Sequence, residues 1–443
     1  MRLRGVDGHD WEPVRVFTRR WEAELAQSLL SSHGVPVRLH SDDTGGIAYP
    51  NLGLVTGYAL LVPVEEMDAA AELLDISAPE ADPSPAGSGG NLGGLLLELL
   101  TFMSVTGSEQ ALADWLSARY TSAGEAVQRL GDSLVVGEED PDRPNVLLVS
   151  HIDVVPPTDA DLQPRREDER IVGRGASDMK SGLAVAMDCF EDPGLRAGPF
   201  NLLLVCYARE EGSHDDNELG PLLAQVPELS DADLAIVLEP TDLAVQLGCM
   251  GALHAEVSFV GKAAHSARPW EGENALTKAG GFLTQLAERS PEDVEVDGLV
   301  FREVFTATQA WTASARNVVP DRFTVNLNYR FAPDKSVEQA EARLRELVDG
   351  RAEISIVDRA PAGSPRRDAP LVEALIAGLD APIQPKQAWT DVARFSEVGV
   401  AAVNYGPGLT AQAHQAGEWV PEANLHAARD ALARFLSSPN GGR

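Results

Sequence analysis

The sequence predicts an α/β protein of three units: a main domain with a central mixed sheet flanked by helices, an α+β sandwich inserted into it, and a small α+β module at the N-terminus. Three observations carry that reading. Strand-like and helix-like runs alternate from residue 91 onward, as in an α/β sheet. Between residues 249 and 359 the pattern changes to long alternating strands and helical stretches. Before both lies "PEADPSPAGSGG", residues 79–90, a linker composition with almost nothing to bury. The expected division is 1–78, 79–90, 91–248, 249–359 and 360–443, with 91–248 and 360–443 forming one domain around the insertion.

In the module, "PVRVFTRR", "VPVRLH" and "YALLVPV" read as strands, and "WEAELAQSLLSSHG" and "EEMDAAAELLD" as helices. The first helix ends on a glycine suited to a C-cap. Residues 13–78 resemble a small module associated with signal transduction in many bacterial proteins, which implies no defined chemistry. In the main domain four strand-like runs share one pattern. "NVLLVS" ends at His151, "NLLLVCYA" at Glu210 and Glu211, "DLAIVL" at Glu239, and "GVAAVNY" at a Gly-Pro-Gly turn before His414. Open α/β sheets bind ligands beyond the carboxyl ends of their strands, so this repetition predicts a site. In the insertion, "GALHAEVSFVG", "RFTVNLNYRFA" and "AEISIVD" alternate like strands, with "NALTKAGGFLTQLAER" and "SVEQAEARLRELVDG" helical.

Composition narrows the functions. Asp+Glu number 68 against 36 Lys+Arg, a net charge of −32, which disfavours nucleic acid and anionic membrane surfaces. Three cysteines (Cys189, Cys206, Cys249) without knuckle spacing point away from a disulfide framework or a thiolate metal site. The N-terminus has no apolar core of a signal peptide, and "LGGLLLELLTF" is too short to span a bilayer. A cytoplasmic protein is expected.

Of nine histidines, His9, His33, His40, His214, His254 and His426 have no company that suggests a site. His151 has Asp153 two residues on, placed to hold the second ring nitrogen of a metal-binding imidazole. Asp178 lies in a glycine-rich turn opening a small-residue helix, where an N-cap role is equally open. The neighbours Glu210 and Glu211 would repel in a dry site, and a solvated loop is the plain alternative. With Glu239 and His414 added, the set is two histidines and several carboxylates without thiolate, the ligand types of a pair of hydrolytic zinc ions. One carboxylate then bridges, each metal takes one histidine and one further carboxylate, and one glutamate remains as a base for water.

"SHIDVVP", "GRGASDMKSG", "EEG", "LEPTD", "GKAAHSARPWEGENA", "ARNVVPD" and "YGPG…AHQAGEWV" resemble, in order, the zinc aminoacylase and carboxypeptidase G2-like deacylase-peptidases, over roughly 91–438. "AHSARPWEGENALTKAG", "NVVPDRFTVNLNYRFAPDKSVEQA" and "WTDVARF…VNYGPG" are most similar to the actinobacterial-type desuccinylases that act on N-succinyl-diaminopimelate, a step of lysine and diaminopimelate biosynthesis. The resemblance implies two Zn2+ per subunit, with Co2+ or Mn2+ an alternative in one position. It implies that Asp178 bridges, His151 and Glu239 hold one zinc, and Glu211 and His414 the other. Glu210 is then the base, Asp153 the orienter of His151, and His265 a donor reaching the partner subunit's site from a dimerisation lid. Substrate contacts fall on Asn317 and Arg330, with Thr390 and Arg394 added from "WTDVARF". A homodimer and an acylated amino-acid substrate follow. Acetylornithine or a dipeptide is the alternative substrate, and a non-catalytic ligand-binding relative the alternative class. Two positions depart from the family pattern: Ser150 replaces the usual glycine before His151, and Arg209 replaces a commonly acidic residue before the glutamate pair.

Overall fold

A computed structural model of the chain describes residues 91–438 throughout and, before them, residues 3–4, 10–17, 35–41, 58–67 and scattered positions in 23–31 and 69–70. In the N-terminal module β1 (Leu3–Arg4), β2 (Asp10–Phe17), β3 (Arg38–Ser41) and β4 (Tyr58–Pro63) form an antiparallel sheet in the order β1-β2-β4-β3. Ala26 and Leu30, at helical positions, pack on Leu60 and Val62 in a small core of their own. The predicted linker, 79–90, and most of the predicted helix over 65–75 lie outside the described residues.

The main domain begins with α1 (Leu92–Thr101) and α2 (Gln110–Ser122). Its first strands are β5 (Val127–Leu130), β6 (Ser133–Val136), β7 (Asn145–His151), β8 (Arg165–Glu167) and β9 (Arg170–Val172). After α3 (Lys180–Glu191) come β10 (Asn201–Tyr207), β11 (Leu234–Val237) and β12 (Val245–Leu247).

The insertion follows, carrying β13 (Gly251–Val260), β14 (Ala264–His265) and α4 (Gly280–Glu288), then β15 (Glu292–Val296), β16 (Leu299–Trp311) and β17 (Val318–Val319). It ends with β18 (Arg322–Phe331), α5 (Val337–Val348) and β19 (Glu353–Ala360). The chain returns through α6 (Pro370–Leu379), β20 (Ile383–Pro385), β21 (Ala402–Asn404), β22 (Trp419–Pro421) and α7 (Glu422–Leu436).

The main sheet has eight strands in the order β20-β12-β21-β11-β7-β10-β6-β5. Its four central strands, β21, β11, β7 and β10, are parallel. They are buried throughout and mostly apolar because both faces are covered. Val146, Leu148, Leu202 and Leu204 enter the core under α1, α3 and α7, while Leu147, Val149, Leu203 and Val205 enter the core on the opposite face. Helix α3 comes so close to the sheet that a Cβ on Gly182 would overlap the carbonyl oxygen of Leu238. That contact sets the start of α3 beside the end of β11.

The predicted strands and helices of the insertion are present as an antiparallel sheet, β15-β16-β18-β13-β19, packed on α4 and α5. A Ser336–Gln339 capping box starts α5. The β15–β16 hairpin was not anticipated. Its turn is Asp297-Gly298, both at positive φ (51° and 75°), a pair that fits the tight turns of hairpins. Leu299 and Phe301 of β16 pack into the main-domain core rather than that of their own sheet. Where the chain enters and leaves the insertion, Cys249 and Gly363 exchange both backbone hydrogen bonds, at 3.0 and 3.1 Å. Among the described residues no helix is long and apolar enough to cross a membrane.

The core of the N-terminal module shares no residue with the other three hydrophobic clusters. A chain truncated to start at Gly90 is therefore expected to stay soluble and to keep the Tm of the main unfolding transition within a few degrees. Calorimetry on the two proteins checks this; an aggregated or much less stable truncation would show that the units are interdependent.

Candidate metal centre and active site

The four central parallel strands deliver the site. His151 is the last residue of β7, Glu210 and Glu211 lie just beyond β10, Glu239 just beyond β11, and His414 in the loop after β21. Asp178 comes from the turn before α3, where Gly175 has a φ of 85°. His151 Nε2 lies 3.3 Å from Asp178 Oδ1 and 4.0 Å from Glu239 Oε1. His414 Nε2 lies 2.9 Å from Glu211 Oε2 and 3.6 Å from Asp178 Oδ2. The two oxygens of Asp178 thus face different histidines. Two triads result, His151–Asp178–Glu239 and Asp178–Glu211–His414, each with ligand atoms within 4.8 Å of one another. Glu210 joins His151 and Glu211 in a third such group.

The electrostatics show what this crowding costs. Burial pushes the Glu210 carboxyl well above its usual range, with His151 opposing and Glu211 and Glu239 adding to the rise. Burial likewise pushes Glu239 up to about 7, raised further by Asp178 and opposed by Lys386 and His151. The Glu211 hydrogen bond holds the His414 imidazole up to about 9. An oxygen- and nitrogen-rich donor set with so many acids in so little water fits divalent cations, which supply the missing positive charge.

Asp153 is fully buried. Its backbone oxygen is 3.0 Å from His151 Nδ1, while its Oδ1 is 3.5 Å away. The Asp153 carboxylate accepts the N–H groups of Glu210 and Glu211, each at 3.0 Å, and the Thr106 hydroxyl at 2.9 Å. Arg209 makes this possible: its left-handed conformation (φ 64°) turns the two successive N–H groups toward one carboxylate. The Arg209 side chain itself points toward Glu218, 3.8 Å away. Ser150 is buried on β7, and its hydroxyl has no hydrogen-bond partner among the described residues.

The remaining sequence-predicted residues lie apart from this cluster. His265, on β14, is exposed and accepts the Ala267 N–H at 3.0 Å. The backbone oxygen of Asn317 accepts the Ser266 N–H at 2.9 Å, which ties the two segments together. Arg330 is half-buried on β18, and burial lowers its pKa against the pull of Asp358. Thr390 is buried, its hydroxyl without a partner among the described residues. Arg394 is buried too, 2.9 Å from Asp391, and donates to the His214 carbonyl. Asp391 also accepts the Tyr207 hydroxyl at 2.7 Å and the Asn217 amide at 3.0 Å.

Sequence reasoning missed several groups. Lys386, nearly buried, sits 3.8 Å from Glu239 Oε2. Thr106 and Glu418 brace the ligand-bearing turns. Lys386 and Thr106 stand in no chemically suggestive motif; Glu418 lies inside "AHQAGEWV", but its residue type there suggested no role.

An α/β sheet whose strand ends carry two triads able to hold a metal ion, sharing Asp178, fits a metal-dependent hydrolase. The chain belongs to peptidase family M20/M25/M40, whose model matches residues 147–438. It is 37% identical over 345 residues to a protein assigned as the succinyl-diaminopimelate desuccinylase DapE in Mycobacterium tuberculosis, a match covering 77% of this chain and 97% of that one. It is 33% identical over 352 residues to the succinyl-diaminopimelate desuccinylase of Corynebacterium glutamicum, covering 77% and 95%. An acetylornithine deacetylase of Myxococcus xanthus is 30% identical over 367 residues, covering 75% and 93%. In fold, the chain is similar to a tripeptidase from Staphylococcus aureus (TM-score 0.64, 20% identity, 78% and 97% covered). It is also similar to the Bacillus subtilis YXEP protein, described as a dinuclear metal-binding peptidase (TM-score 0.56, 14% identity, 78% and 96% covered).

Because Asp153 satisfies two buried N–H groups, Asp153→Ala is expected to destabilise the chain by at least about 2 kcal/mol, as each orphaned buried donor costs about 1–3 kcal/mol. Urea unfolding of the metal-stripped protein measures this. A loss under half that size would mean that water replaces the carboxylate.

Proposed function

We propose that this chain hydrolyses N-succinyl-LL-2,6-diaminopimelate to succinate and LL-2,6-diaminopimelate. The observation that carries the chemistry is Asp178, with one carboxylate oxygen toward each histidine. In this reading Asp178 is shared between two zinc ions, His151 and Glu239 complete one ligand set, and Glu211 and His414 complete the other. Cobalt or manganese suits the same donors in one position. Bound there, the metals polarise the amide carbonyl and lower the pKa of water. Glu210 is the general base, taking a proton from the attacking water and delivering it to the leaving amine. Asp153 holds the Glu210–Glu211 turn and His151 in place.

The substrate follows from the relatives named desuccinylase at 37% and 33% identity. Arg330 offers a half-buried guanidinium, a group suited to a carboxylate, and Asn317 lies on the same domain. Thr390 and Arg394, expected as substrate contacts, both have buried side chains, and Arg394 is held in an ion pair with Asp391, so direct contact with substrate is assigned to Arg330 and Asn317. A second reading, acetylornithine deacetylation, is favoured by the Myxococcus relative. Purified, zinc-loaded protein assayed on both substrates decides between them by kcat/KM. The desuccinylase assignment fails if acetylornithine is preferred.

The insertion, 249–359, serves in this reading as a lid and homodimer contact. Two features support a self-pairing surface. β15 covers only residues 299–303 of β16, so residues 304–311 expose an edge that no strand pairs with among the described residues. Trp311, at its end, is 42% exposed, and Trp270, near His265, is 76% exposed. His265 then donates to the oxyanion of the partner's site. The enzyme works in the cytoplasm.

Two experiments test the residue roles. Glu210→Gln should keep its metal and lose about 10²–10⁴-fold in kcat, the usual worth of a general base. Glu211→Gln should instead lose metal, read as fewer zinc ions per chain by elemental analysis; unchanged zinc removes it from the ligand set. Separately, mixing inactive His265→Ala and Glu210→Gln subunits should restore activity, because each heterodimer regains one complete site. Failure to recover, with subunit exchange demonstrated by mass spectrometry, excludes donation across the dimer.

A further inference from the structure

Glu418 is almost fully buried, and its single carboxylate takes four hydrogen bonds. Oε1 accepts the N–H groups of Ser177 and Asp178, each at 2.8 Å. Oε2 accepts the Gly175 N–H at 3.0 Å and the Arg174 guanidinium at 2.8 Å. Three of these donors belong to the turn that presents Asp178. The segment carrying Glu418 is locked to that turn on both sides: the Gly173 N–H donates to the Glu418 carbonyl at 2.9 Å, and the Ser177 hydroxyl to the Trp419 carbonyl at 2.8 Å. The same segment begins at His414.

An aspartate at the start of a helix normally turns its carboxylate back onto the free N–H groups of its own turn. Helix α3 has no side-chain cap, and the Asp178 carboxylate stands away from the turn, between the two histidines. Glu418 instead holds the N–H groups of the turn that leads into the helix, those of Gly175, Ser177 and Asp178 itself. We infer that Glu418 is the positioning residue of the metal centre, resting on the reading of Asp178 as the shared ligand. It pins the backbone of the Asp178 turn, including the Asp178 N–H, and fixes that turn against the His414 loop, so that the Asp178 carboxylate is held between the two histidines. A carboxylate shared by two metals must satisfy both ligand sets at once, so displacement of this one turn weakens both.

Titrating metal-stripped full-length protein with Zn2+ by isothermal titration calorimetry reads this without turnover. Glu418→Gln keeps the volume but sets amide N–H groups against N–H donors. The expected result is a Kd for Zn2+ raised about 10- to 100-fold, the usual effect of losing a group that orients a ligand. Far-UV circular dichroism should stay native, and kcat at saturating zinc should fall with little change in KM. If Glu418→Gln does not fold, Glu418→Asp keeps the charge and shortens the reach by one methylene, and the same rise in Kd is expected. A folded variant with wild-type Kd overturns the assignment, even if its Tm is lower. His414→Ala separates the two levels of argument. Should it also bind zinc like the wild type, the metal-centre reading itself has failed; should it lose zinc while the Glu418 variants bind normally, only the positioning role has failed.

Discussion

Buried carboxylates that accept backbone N–H groups are the interaction on which this site depends. Five acidic side chains, Asp153, Asp178, Glu210, Glu211 and Glu239, meet two imidazoles with little water to screen them. Like charges at this range raise each other's pKa, and packing alone does not hold them. Asp153 grips the Glu210–Glu211 turn by both N–H groups, and Glu418 grips the Asp178 turn by three. Each gripping carboxylate gains charge-assisted hydrogen bonds. At Asp153 burial is outweighed by these bonds together with His151, which hold the carboxyl below its usual range, while at Glu418 burial still pushes the carboxyl up to about 7. Each leaves the ligands of the turn it holds free to face inward. The site thus has two tiers of acids, one bound to backbone and one open to cations.

Sheet geometry supplies the rest. Neighbouring strands are about 4.8 Å apart, so residues at the ends of adjacent parallel strands fall naturally within reach of a shared cation. β21, β11, β7 and β10 are consecutive in the sheet and parallel, and each ends in or near a candidate ligand. The left-handed residues Arg209 and His414, with φ of 64° and 61°, mark the points where loops bend back over those ends. Such conformations cost energy in non-glycine residues and persist where surrounding bonds overdetermine them. The Asp153 contacts do so at Arg209.

How much of this could be read from the sequence depended on whether a feature was local. The four apolar runs ending in polar groups identified the parallel strands, because strands buried on both faces are continuously apolar. His151, Asp178, Glu210, Glu211, Glu239 and His414 were legible because each ends such a run or opens a helix, and the structure gathers all six. The roles of Glu418, inside the quoted "AHQAGEWV", and of Lys386 were not legible. A buried glutamate whose partners are backbone N–H groups 240–243 residues away leaves no local pattern. Asp153 was seen as a partner of His151, yet its main bonds go to a turn whose distance in sequence hid them. The β15–β16 hairpin carried an Asp-Gly signal, but "EDVEVDGLVFREVF" alternates charged with apolar residues and looks like a solvated stretch. Alternation of that kind is what an antiparallel edge requires.

Strand β16 joins two parts of the molecule that the sequence presents as separate domains. Its first residues, Leu299 and Phe301, are buried in the main-domain core, and Gln387 beside β20 accepts the Arg302 N–H at 3.0 Å. Its far end, through Trp311, is exposed on an edge without a strand partner among the described residues. Midway, the pairing with β18 shifts register between Ala307 and Gln309, a bulge that bends the strand. A close-packed core transmits displacement rather than absorbing it. Any contact that moves the outer half of β16 therefore acts on the main-domain core through a strand already seated in it. The insertion is fastened at two places, the Cys249–Gly363 pair and the β16 root, so it cannot swing on the chain crossing alone.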